Sequence, residues 1–177
     1  MRAPRNDDGS SDPMLSAVGR GRPFRKPRCF MGFIKEMKFI ISSVIENLTP
    51  DGLSDGEPER TAITADGFYK INGDTYEISY TENTEGGKVV STIVASKEEV
   101  RVMRRGAVDS EMVFREGESH TSVYTVSPYS FDTTVSCRKI RFGLTKDGGR
   151  VDIFYGMNIG GAKKSVRMRI DCELGGR

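Results

Sequence analysis

The chain has 177 residues, of which 36% are hydrophobic and 29% charged. That length buries one good core and favours a single domain, and no apolar run approaches the length of a membrane span. The formal charge of +2 hides an asymmetry: residues 1–36 carry eight Lys/Arg against four Asp/Glu, and the remaining body is near neutral.

Residues 1–30 have no hydrophobic period and are rich in Arg, Gly, Pro, Ser and Asp, which predicts a disordered tail through about residue 36. Arg20, Arg22, Arg25, Lys26 and Arg28 lie close together in it. Arg20-Gly21-Arg22-Pro23 resembles the core of an AT-hook, whose arginines follow the negative potential of a narrow minor groove. Nucleic-acid association through this tail is the weaker alternative, because basic tails are mostly solvated charge. A start codon assigned too far upstream of Met31 or Met37 is a further reading of the same segment.

From Met37 the pattern changes to period-two alternation, the mark of strands with one buried face. Met37–Glu46 is expected as the first strand, with Ile and Val on both faces. The acidic, Gly- and Pro-containing stretch Asn47–Arg60 is long for a hairpin loop and suits a lid. Thr61–Ile71 follows, and Asn72-Gly73 is a strong two-residue hairpin signal into Thr75–Glu82. Further strands are expected at Lys88–Ala95, Glu98–Arg105, Ser110–Arg115, His120–Val126, Phe131–Cys137, Arg150–Ile159 and Ser165–Cys172. Gly86-Gly87, Gly148-Gly149 and Gly160-Gly161 read as turns. Ten strands with short connections predict an all-β fold, a single antiparallel up-and-down barrel of 8–10 strands, which closes the sheet and leaves no edge; a two-sheet sandwich is the alternative, disfavoured because only Asn47–Arg60 is a long connection.

Two strands carry a charge in the buried register. Tyr76, Ile78 and Tyr80 are followed on their face by Glu82, and Val100 and Val102 by Arg104. In a meander both charges lie at one end, two strands and roughly 10 Å apart along the sheet. The same alternation brings Ser110, Phe131 and Met157 toward that end, with Tyr80 and Tyr124 lower. A charged pair, aromatic walls and a lid compose a barrel mouth able to hold one small ligand. The same two charges also fit a structural plug, in which they only neutralise one another.

Catalysis and metal binding find little support. His120 is the lone histidine, begins a strand at the opposite end, and lacks a nucleophile and acid beside it, so it is expected as a hydrogen-bonded structural residue rather than a catalyst. No GxSxG, HExxH or phosphate-binding glycine loop occurs, and one His with scattered acids builds no metal site. No enzyme activity and no cofactor are therefore expected. Cys29, Cys137 and Cys172 are odd in number with no CxxC, which points to a reducing, cytoplasmic compartment, with Cys137 and Cys172 acting as small buried hydrophobes. Phe68, Tyr69, Tyr76, Tyr80, Phe114, Tyr124 and Tyr155 are expected mostly in the barrel core. Outward runs such as Arg138, Lys139 and Arg141, or Lys163, Lys164, Arg167 and Arg169, read as solvated surface balanced by acids elsewhere, so a nucleic-acid partner is not expected from them.

Several of these residues recur together. Gly67-Phe68-Tyr69, Ile78-Ser79-Tyr80 with Glu82, Arg104 with Gly106, Met112-x-Phe114-x-x-Gly117, His120, Tyr124 and Val151-Asp152-Ile153-x-Tyr155 make residues 37–173 resemble the YwiB-like bacterial family. The resemblance implies a calycin-like (lipocalin-like) barrel domain over 37–177 and brings no catalytic residue with it. Relatives that start near the first strand agree with a late start. The expectation is a barrel that binds a small amphiphilic or apolar molecule at the Glu82/Arg104 end, against the alternative of a ligand-free structural or interaction barrel.

Overall fold

The computed structural model describes residues 33–174. The basic segment with Arg20, Arg22, Arg25, Lys26 and Arg28 lies outside the described residues, as does Cys29. Ten strands follow in order: β1 Phe33–Leu48, β2 Glu59–Asn72, β3 Thr75–Thr84, β4 Gly87–Ala95, β5 Val100–Gly106, β6 Ser110–Phe114, β7 Ser119–Val126, β8 Tyr129–Thr145, β9 Gly148–Ile159 and β10 Ala162–Leu174. All pairings are antiparallel between chain neighbours, with β10 returning to pair β1, so the meander runs around a barrel. The expected architecture and all ten strands are present. The barrel closes between β6 and β7 through one bridge, where Asp109 and Thr125 exchange both backbone hydrogen bonds at 2.9 and 2.8 Å.

Strand bounds differ from expectation most at two places, for physical reasons. The first strand begins at Phe33, four residues early, because Phe33–Glu36 pair with Phe68–Ile71 of β2 despite their mixed charge. Lys35 also reaches the Lys146 carbonyl at 2.8 Å. Strand β8 runs on to Thr145, eight residues past the expected end at Cys137. A β-bulge between Cys137 and Lys139 inserts Arg138, and one extra residue moves the inward register from odd to even positions. Ile140, Phe142 and Leu144 thus continue the apolar face that Val135 and Cys137 begin.

Inward positions form one continuous core that includes Phe39, Tyr69, Ile78, Ile93, Phe114, Ile153 and Ile170. Cys137 and Cys172 are free thiols buried in it, as their register predicts. Phe114 packs on Tyr155 with ring centroids 4.7 Å apart, and the Tyr69 hydroxyl donates to the Thr145 carbonyl at 2.8 Å, tying β2 to β8. Phe68 corrects the sequence reading: it points outward and is 54% exposed, the price of placing its neighbour Tyr69 inside. Gly67 stands in the inward register between Met37 and Tyr80, and any side chain there would run into the Ser79 carbonyl. Glycine at that point lets the backbone of β3 approach β2 closely.

Candidate functional site at the upper rim

Strand alternation sets the site. Tyr80 lies opposite Ser91, Ser91 opposite Arg104, and Arg104 opposite Ser110, one inward row across β3 to β6. Glu82 is one inward step higher, opposite Val89. The Arg104 Nη2 donates to Glu82 Oε1 at 2.9 Å, and Ser91 Oγ donates to the same oxygen at 3.4 Å. The two charges therefore share one end of the barrel and meet directly, the guanidinium reaching diagonally across β4. Their side chains are 31% and 16% exposed, Arg104 the more open. Below them burial pushes the Tyr80 phenol up, opposed by its contact with Ser91 and the nearby Arg104 cation. Burial likewise pushes Tyr155 up to about 12, with Arg104 pulling weakly the other way.

The rest of the predicted residues surround this pair unevenly. Ser110 is buried beside the closing bridge. Tyr124 and Phe131 pair across β7 and β8; Tyr124 is half-buried and Phe131 is 42% exposed at the rim. Met157 is half-buried opposite Val135. The loop between Leu48 and Glu59 stands at this end, where Leu48 bridges Ser54 and Lys163 Nζ donates to the Pro50 carbonyl at 3.1 Å.

Sequence reasoning missed Thr133. Its Oγ1, the Ser110 Oγ and the His120 Nδ1 are buried without a hydrogen-bond partner among the described residues. They stand on β8, β6 and β7, the strands on either side of the closing seam. Thr133 lies opposite Ser122, and His120 one inward step lower, opposite Val135. The Nδ1 of His120 thus lacks the hydrogen bond expected of it among the described residues. Thr133 could have been found from the alternation of β8, where it is the one aliphatic hydroxyl on a face that continues with Val135 and Cys137. Among the described residues no cluster of three or more His, Cys, Asp or Glu could hold a metal ion.

Comparison with known proteins agrees with this architecture. Residues 48–170 match the family described as "Domain of unknown function (DUF1934)". A relative named "Uncharacterized beta-barrel protein YwiB", from Bacillus subtilis (strain 168), is 32% identical over 136 residues, covering 76% of this chain and 91% of that protein. The crystal structure of the ywiB protein from Bacillus subtilis aligns with a TM-score of 0.71 at 30% identity, over 81% of this chain and 94% of that one. The resemblance carried by Gly67-Phe68-Tyr69, Glu82 and Arg104 is thereby borne out.

Proposed function

Because the chain belongs to the DUF1934 family, a domain of unknown function, we propose its role from the chemistry of its own rim: a binding barrel for one small amphiphilic molecule, without catalysis. The observation that carries this reading is the pair of buried hydroxyls, Ser110 opposite Arg104 and Thr133 across the seam on β8, each 3% exposed and unpartnered among the described residues. Burying a hydroxyl without a partner costs about 1–3 kcal/mol, so a ligand that supplies the missing bonds is held by them. A carboxylate or hydroxyl head would accept from Arg104 and bond both hydroxyls, and an apolar body would rest on Tyr124, Phe131 and Met157. The lower barrel is filled by Phe39, Tyr69, Phe114 and Tyr155, which confines the ligand to the rim rather than to a deep central cavity.

Native mass spectrometry of freshly purified full-length protein tests this reading. The expected result is a species heavier by one small organic molecule, and its loss in Arg104→Met and Thr133→Val. Bare protein mass under gentle ionisation, with nothing released on organic extraction, would overturn it and leave a barrel whose rim is plugged by its own ion pair.

A further inference from the structure

The outer wall opposite the β6–β7 seam gathers charges that are scattered in sequence. Lys139 lies across from Phe154, Phe154 from Arg167, Arg167 from Val44, and Val44 from Arg60. This one row crosses five strands, β8-β9-β10-β1-β2, roughly 19 Å of sheet, with a cation on every second strand and an apolar side chain between. One step along, Arg141 lies across from Asp152, and Asp152 from Arg169. Arg138, thrown outward at the bulge, reaches Ser165 Oγ at 3.3 Å. The two basic runs that read as separate solvated surface are thus one face. Lys164 alone of those residues falls in the inward register, as the neighbour of Val166.

The acids do not neutralise it. Asp152 is the buried acid of the face, and it already accepts from both Arg169 at 2.9 Å and Arg167 at 3.2 Å. Burial raises its pKa, but those two arginines hold it below the usual carboxylate range overall. Glu46 also lines the groove, beside Arg60, Arg138 and Arg167, one acid among several cations. Arg60, Lys139 and Arg141 form no ion pair among the described residues. The Arg141 and Arg167 guanidiniums each lie 5.2 Å from the Phe154 ring, which fixes them as flat cations.

Two cavities of about 400 and 360 Å³ adjoin along the row and share Val44, Arg60 and Arg167. A grooved strip whose cations outnumber its acids, with flat guanidinium and aromatic surfaces, matches a chain that carries both phosphates and planar groups. We infer that this wall is a binding surface for single-stranded nucleic acid. Phosphates lie against Arg60, Lys139 and Arg138, and bases stack on the guanidiniums held over Phe154. An acidic peptide would satisfy the charge and leave the flat surfaces unused. A membrane would meet a groove rather than a protruding apolar edge.

Fluorescence anisotropy of the full-length protein with labelled dT20 and rU20 tests the inference. Three phosphate contacts predict about a 20-fold loss of affinity between 50 and 200 mM salt. Arg60→Ser/Lys139→Ser/Arg141→Ser, which spares the Asp152 cluster, should weaken binding at least tenfold and flatten the salt slope with circular dichroism unchanged. Phe154→Leu should weaken both oligonucleotides several-fold while leaving poly-glutamate retention as it was. Substituting Arg20, Arg22, Arg25, Lys26 and Arg28 by Ser should leave the affinity within twofold. No binding at 50 mM salt, loss only in the tail variant, tighter binding to anionic phosphatidylserine vesicles, or equal weakening of poly-glutamate by Phe154→Leu would each overturn it.

Discussion

Arg104 meets Glu82 at 2.9 Å across an intervening strand, and Ser91 of that strand bonds the same carboxylate oxygen. The pair is neither fully exposed nor fully buried, which sets its energetics. An exposed pair contributes about 0–1 kcal/mol, whereas removing one partner of a buried pair costs about 3–5 kcal/mol. Glu82→Gln and Arg104→Met are each expected to destabilise the fold by about 1–3 kcal/mol in urea titrations, between those limits. The double variant should lose less than the sum of the two, since it leaves no lone charge at the rim. If both single variants melt like the wild type, Glu82 and Arg104 are held by solvent rather than by one another.

Tyr155 predicts the alkaline behaviour. Burial raises its phenol to about 12 from an ordinary value of 10.0, and burial with the nearby Asp171 raises the Cys172 thiol to about 12 from 9.0. Both groups keep their protons longer folded than unfolded. Their contribution is complete below the ordinary values, pH 9 for the thiol and pH 10 for the phenol, and is lost as pH rises through about 12. Urea titrations from pH 8 to 12 should show a falling limb, of which Tyr155 accounts for about 2–3 kcal/mol. Tyr155→Phe should make that limb shallower by its own share and leave the rest, from Cys172, which begins a pH unit earlier, and from the similarly raised Tyr69, Tyr80 and Cys137. An unchanged limb in the variant would show that Tyr155 ionises freely in the folded barrel.

The sheet was legible from alternation because most strands keep one face buried along their whole length. Glu82 and Arg104 stood out for the same reason: each interrupts an apolar face, and the register then brings them together. Three features were beyond that signal. The bulge at Arg138 shifts the period by one, so β8 seemed to end at Cys137 although it runs to Thr145. Phe68 and Tyr69 are both aromatic, and only the register decides that Tyr69 goes inside and Phe68 outside. The cationic wall requires Lys139, Arg167 and Arg60 to align across five strands, a property of pairing offsets that no single segment encodes.

The bulge itself rests on one carboxylate. Glu116, in the turn before β7, accepts from the Ile140 backbone N–H at 2.6 Å, just past the point where Arg138 is thrown outward. The neighbouring turn completes the closure: Gly117 N–H donates to the Cys137 carbonyl, and Cys137 N–H donates to the Glu118 carbonyl, both at 2.9 Å. Glu116 therefore supplies the acceptor that the irregular ladder withholds from Ile140. Glu116→Ala leaves that part-buried N–H without a partner and should cost about 1–3 kcal/mol. Glu116→Gln keeps an oxygen acceptor without the charge and should lose about half as much. Hydrogen exchange separates this from a general loss of stability: the Ile140 amide should speed up in Glu116→Ala by more than those of Val151 and Ile153 in the neighbouring strand. Equal acceleration at all three would mean that Glu116 supports the barrel globally and leaves the bulge to the backbone.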